Sequence, residues 1–181
     1  NNLHDALTMI ESIGEIINKE IPDGQPGIIS YDTYWDRIKG DPAKRVEPAI
    51  HEVLQKSGVL EDIIQRSFPI PAFKPMARQI IAALSVHRLT TVVLDAKLGL
   101  TAQNLKDELT LFIDNMPVME EDFLLTTVET VLREIINTVS GQFIEYNKDN
   151  GQYYLDLKKD VDYDKKIQEK ADFLGKDRLN Q

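Results

Sequence analysis

Apolar residues recur at helical spacing along most of this chain, interrupted by clusters of proline and glycine. Leu3, Leu7, Ile10, Ile13 and Ile17, with Met9 and Ile16, form a broad stripe that predicts a helix over 3–20. Ile21 to Gly27 holds two prolines and two glycines and breaks the pattern. Ile28-Ile29 follows as a short extended piece. Ser30 is positioned to cap a short helix over 31–38, with Tyr31, Tyr34 and Trp35 on one side. After Gly40-Asp41-Pro42 a second helical stretch spans 44–66, with Pro48 tolerated only near a first turn. Its inward residues are Ile50, Val53, Leu54, Leu60, Ile63 and Ile64, and Ser57-Gly58 is a point where it could divide. A third helix is predicted over 75–89, from Met76, Ile80, Ile81, Leu84 and Leu89. The β-branched run that follows predicts a short strand over 91–94. Thr101 reads as the N-cap of a helix over 102–112 that turns Leu105, Leu109 and Phe112 inward.

The last third carries the clearest pattern. A helix over 121–139 presents Leu124, Val128, Val131, Leu132, Ile135, Ile136 and Val139 on one face. It runs into QFIEYNKDNGQYYLDL, a hairpin centred on Asn150-Gly151, the pair favoured by type I′ turns. That turn places Tyr146 opposite Leu155, Ile144 opposite Leu157 and Lys148 opposite Tyr153. Ile144, Tyr146, Tyr153, Leu155 and Leu157 then share one face and need a helical core, because an isolated hairpin is marginal in water. A charged helix over 161–174 closes the chain. The order helix, strand, helix, helix, hairpin is that of a winged-helix module. The predicted fold class is mainly α with a small β-hairpin: a helical segment followed by a winged-helix-like module. The expected divisions are a helical connector or lid-like segment over 1–66, a winged-helix-like domain over 67–160 and a charged tail over 161–181.

Charge narrows the function classes. The net charge is −9, against a free-standing non-specific nucleic-acid binder, which draws affinity from Lys and Arg on phosphates. The imbalance is local: residues 44–90 hold seven Lys/Arg and four Asp/Glu, whereas 95–139 hold three and nine. No apolar run reaches the roughly 18–20 residues of a membrane span, so no membrane partner is expected. Cysteine is absent, which excludes disulfide and cysteine–metal scaffolds. With no initiator Met and no signal peptide at Asn1-Asn2-Leu3-His4, the expectation is a piece of a longer cytoplasmic protein.

The chemistry motifs are missing. There is no G-x-x-x-x-G-K-[ST] and no G-x-G-x-x-G, so no phosphate loop can form from this chain. His4, His51 and His87 have no metal-type partners at ligand spacing. Glu120-Glu121-Asp122 sits where acidic residues favour a helix N-terminus. No catalytic residue, metal ligand or cofactor is expected in this chain. The candidate contacts to nucleic acid or a partner lie on the exposed positions of helix 121–139 and on the hairpin tip: Thr127, Thr130, Arg133, Asn137, Lys148 and Asn150. Thr, Arg and Asn can read base edges, while Glu129 and Glu134 repel phosphates. Arg78, near the start of an apolar helix, is a candidate sensor reaching a nucleotide phosphate on a neighbouring ATPase core.

Four stretches carry a family resemblance: PGIISYDTYWDRIKGDP, FKPMARQIIAALSVHRLTT, GLTAQNLKDEL and LREIINTVSGQFIEYNKDNGQYYLDLKKDVDYD. Together they resemble a region of the very large P-loop ATPases of BREX-type phage-exclusion systems and related uncharacterised proteins, over about residues 3–166. The resemblance implies a parent with an AAA+-like ATPase core, absent here. It implies that this segment couples that core to the rest of the chain or to defence-complex proteins. A winged helix following such a core also resembles origin-recognition-type AAA+ proteins, which implies DNA contact as the alternative; the acidity of residues 95–139 departs from that pattern.

Overall fold

The computed structural model describes residues 31–91, 98–107 and 121–159. The predicted helix 3–20, the charged helix 161–174 and the second half of helix 102–112 lie outside these residues. The described part is mainly helical with one small antiparallel sheet. Helix α1 (Tyr31–Gly40) buries Trp35 and Ile38, one turn apart. A single turn, α2 (Pro42–Arg45), leads to α3 (Pro48–Ser67). Pro48 occupies the start of α3, where its missing N–H removes no helical bond. α3 does not divide at Ser57-Gly58. Gly58 costs about 1 kcal/mol relative to Ala, too little to break a helix that buries Val53, Ser57, Leu60 and Ile64 along one side.

A 3₁₀ turn (Pro71–Phe73) opens into α4 (Lys74–Thr91), the central helix. Ten of its eighteen residues are buried, because α1 and α3 pack on it from one direction and α6 and the sheet from another. Small residues at Ala77, Ala82, Ala83 and Ser85 permit that approach. Of the short strand expected over 91–94, only Thr91 falls within the described residues. Thr91 is still helical, and the Thr90 and Thr91 hydroxyls donate back to the His87 carbonyl at 2.7 and 3.2 Å. Residues 92–97 lie outside the described residues. A two-residue strand, β1, comprises Leu100–Thr101. Thr101 does cap the next helix, α5 (Ala102–Asp107): its Oγ1 accepts from the Asn104 amide at 3.0 Å, and Asn104 Oδ1 accepts from the Thr101 amide at 3.0 Å.

Helix α6 (Glu121–Thr138) buries Val128, Val131, Leu132 and Ile135. It ends in a Schellman arrangement: the Gly141 amide donates to the Ile136 carbonyl at 2.9 Å and the Ser140 amide to Asn137 at 3.0 Å. Ser140, φ 52°, takes the left-handed position that glycine usually fills. Phe143, φ 54°, is also left-handed. It is held by backbone bonds to Lys159 and Asp156 and by the Lys56 ammonium 4.6 Å from its ring centre.

Strands β2 (Ile144–Asn147) and β3 (Gln152–Leu155) form the hairpin, and β1 adds to β3, giving the antiparallel order β1-β3-β2. The register differs from the expected one by two residues. Tyr146 faces Tyr153 rather than Leu155, and Ile144 faces Leu155 rather than Leu157. The connection is a four-residue loop, Lys148–Gly151, with the Gly151 amide donating to the Asn147 carbonyl at 2.9 Å. Gly151 has φ +68° but Asn150 is not left-handed, so the type I′ condition fails. Asn147 and Asn150 instead accept from the Asp149 and Gln152 amides, each at 3.0 Å. A shift of two leaves every side chain on its predicted face. Ile144, Leu155 and Leu157 are accordingly buried, but Tyr146 stays 40% exposed and Tyr153 half-buried. On the opposite face Tyr154 is buried beside Gly99, where a Cβ would lie 2.8 Å from Tyr154 Cβ.

Candidate functional site

The exposed side of α6, the start of α5 and the hairpin enclose a groove of about 580 Å³. Leu125, Glu129, Arg133 and Asn137, successive turns along α6, form its floor together with Ile136. Thr101, Ala102 and Gln103 make one wall; Tyr146, Gly151 and Tyr153 make the other. The two tyrosine rings lie 4.6 Å apart between centroids and tilted by 33°. Burial, then the neighbouring Tyr146 and the Glu129 carboxylate, push the Tyr153 phenol above its ordinary pKa, and Arg133 opposes them. Tyr153 therefore sits within electrostatic reach of both charged floor residues. Among the described residues, neither Glu129 nor Arg133 is engaged in a hydrogen bond or ion pair. At the groove's edge the Gln103 amide and the Lys106 ammonium hold the exposed Asp107 carboxylate below its usual range.

The predicted contact residues divide. Arg133 and Asn137 meet in the groove. Thr127 does not: it is 5% exposed and its hydroxyl donates to the Phe123 carbonyl at 2.8 Å. The expectation that it is an exposed reader is corrected, because Thr127 lies on the same side of α6 as Val131 and Ile135. Thr130 is half-buried and donates to the Thr126 carbonyl at 2.8 Å. Lys148 and Asn150 are exposed at the hairpin tip, where Asn150 shapes the turn. Sequence reasoning placed Tyr146 and Tyr153 in the core and counted Glu129 as a repelling charge, missing their convergence. The available signal was tyrosine rather than Ile or Leu at two positions on the hairpin's apolar face, since Tyr keeps one end wet.

Arg78 lies elsewhere, exposed beside a smaller depression of about 280 Å³ lined by Asp32, Trp35, Asp36, Lys39 and Glu61. There the Trp35 indole donates to Glu61 at 2.7 Å, and Lys39 bridges Asp36 and Glu61 at 2.8 and 3.0 Å. Burial works to lower the Lys39 pKa, but those two carboxylates outweigh it and raise the value. This network ties α1 to α3. Among the described residues, no group of three or more His, Cys, Asp or Glu side chains is placed to hold a metal ion, and no helix is long and apolar enough to cross a membrane.

These features define a mainly helical domain that packs a small antiparallel sheet against its central helix α4, with an aromatic groove between the hairpin and the exposed side of α6. The chain belongs to the DUF6079 second domain family, whose model matches residues 5–161. No curated protein and no solved structure matches it. The family description mentions neither an ATPase nor phage exclusion.

Proposed function

We propose that this domain is a non-catalytic, winged-helix-like docking module of a larger chain, and that it engages its partner through the groove between α6 and the hairpin. The winged-helix reading is supported by the succession α4, β1, α5, α6, β2, β3 and by the strand order β1-β3-β2. The observation that carries the docking reading is the convergence of Arg133, Glu129, Asn137, Tyr146 and Tyr153 on one open groove. The description "second domain" supports a place within a longer protein. Resemblance to the phage-exclusion proteins supplies the reading of that protein as a P-loop ATPase whose core this module couples to other components.

Duplex DNA is the weaker occupant. Residues 98–107 and 121–159 carry five Lys/Arg against eight Asp/Glu, and phosphate contacts need the opposite balance. Two of the four base-reading candidates on α6 also have their hydroxyls committed to the helix backbone. The test compares ATP turnover and duplex binding for residues 1–181 with ATP turnover by the longer parent chain, with and without Tyr146→Ser. Expected are no turnover and no salt-dependent duplex binding by the domain, and altered turnover by the substituted parent. Turnover by the domain alone, or an unaffected parent, refutes the proposal.

A further inference from the structure

The charges on the groove floor restrict what can occupy it. Glu129 and Arg133 are both exposed and lie one turn apart on α6, about 6 Å along the axis. A simple anion would satisfy Arg133 and be repelled by Glu129; a simple cation would do the reverse. A ligand carrying both charges at matching separation satisfies both. Apolar Leu125 and Ile136 flank the pair along the same helix. The floor therefore reads apolar, acidic, basic, and then Ile136 beside the polar Asn137, and it runs for about 17 Å from Leu125 to Ile136 at 1.5 Å per residue.

An extended peptide repeats its side chains on one face every two residues, or roughly 6.6–6.8 Å. Over the same four contacts it advances about 20 Å, close to the length of the floor. Tyr146, 40% exposed and backed by Tyr153, forms a flat wall against which such a backbone can lie. The acidic surroundings disfavour a polyanion, which leaves a protein segment as the occupant with matched charge.

We propose that the groove binds an extended segment of a protein partner in which a basic and an acidic residue, two positions apart, are flanked on the same face by apolar residues. The inference rests on the docking reading above and specifies its ligand. The basic side chain pairs with Glu129 and the acidic one with Arg133. The two walls differ, so the groove favours one chain direction and with it one order of the two charges.

The test is an NMR titration of residues 1–181 with four synthetic peptides: LSKSESL and LSESKSL, which carry both charges in opposite order, and LSKSKSL and LSESESL, which carry one sign. One mixed-charge peptide is expected to bind at least about tenfold tighter than either single-sign peptide, shifting the resonances of Glu129, Arg133 and Tyr153. Exchanging the floor charges, Glu129→Arg with Arg133→Glu, is expected to transfer the preference to the other mixed-charge peptide. A variant that folds, judged by an unchanged amide spectrum for α3 and α4, and shows no transfer overturns the proposal. So does equal binding of all four peptides, or tighter binding of a thymidine oligonucleotide than of any peptide. If neither mixed-charge peptide binds while Tyr146→Ser still alters the parent's turnover, this inference falls and the docking reading stands.

Discussion

Ser57 and Ser85 are fully buried between α3 and α4, with their Oγ atoms 2.7 Å apart. Ser85 Oγ also donates to the Ile81 carbonyl at 2.6 Å. A hydroxyl has one hydrogen, so Ser85 has none left for Ser57, and Ser57 must be the donor to Ser85. The two serines are thus unequal. Ser85→Ala strands the Ser57 hydroxyl in an apolar interior, at a cost of about 1–3 kcal/mol. Ser57→Ala leaves the Ser85–Ile81 bond intact and removes one acceptor contact, costing about 0.5–1 kcal/mol. Removing both hydroxyls leaves nothing unsatisfied, so the double variant is expected within about 0.5 kcal/mol of wild type, helped by the higher helix propensity of Ala. The coupling between the sites is then about 1–3 kcal/mol in favour of the double variant. Urea unfolding of the four proteins, compared at equal slope, measures it. Additive losses, or a larger loss from Ser57→Ala than from Ser85→Ala, would refute the assigned direction of the hydrogen bond.

Three further outcomes test the sheet and the groove. Gly99→Ala drives a Cβ into the Tyr153 carbonyl group and to 2.8 Å from Tyr154 Cβ; a loss of about 2 kcal/mol or more is expected, with faster hydrogen exchange at Leu100 and Thr101, and an unchanged melting curve would contradict the β1–β3 pairing. Ser140→Gly relieves a left-handed residue at φ 52° and is expected to raise the unfolding free energy by about 0.5–1 kcal/mol in a denaturant titration. The raised Tyr153 pKa means that the folded state keeps this phenol protonated after the unfolded chain, at about 10, has lost it. That group's contribution to stability is present below about pH 10 and declines as pH rises through the folded value. Phenolate absorbance, with Tyr153→Phe as the blank, is expected to show a high midpoint that Glu129→Gln lowers; an unmoved midpoint would place Glu129 away from the ring.

The helices were legible because burial on a helix repeats. Val53, Leu60 and Ile64 on α3, Met76, Ile80, Ile81 and Leu84 on α4, and Val128, Val131, Leu132 and Ile135 on α6 all lie where their spacing put them. Boundaries that depend on hydroxyl bonding were not legible. Thr90 and Thr91 have strand-favouring side chains, yet both hydroxyls return to the His87 carbonyl and both residues are helical. The hairpin shows the same limit at a turn. Asn150-Gly151 signals a two-residue connection, but Asn147 and Asn150 can each accept from an amide two residues on, and together they close a four-residue loop. Parity survives a slip of two, so the faces were readable although the pairs were not.

The groove depends on a different kind of information. Leu125, Glu129, Arg133 and Asn137 form a stripe at intervals of four, and that stripe can be read from α6 alone. What lies across it cannot, because it depends on where β1 ends and how the hairpin returns. Thr127 illustrates the converse error. Its residue type marks it as a surface reader, while its position, four before Val131 and eight before Ile135, places it inside. The helix resolves the conflict by supplying the Phe123 carbonyl as an acceptor, which lets a hydroxyl occupy a core position at little cost. Position therefore decides burial on α6, and residue type decides only how a buried polar group is satisfied. Applied to the two tyrosines, the same rule explains the groove wall: their parity points them to the face that carries Ile144 and Leu155, but they lie toward the hairpin tip, where they line the groove instead of filling the core. There Tyr146 stays 40% exposed rather than closing into the core.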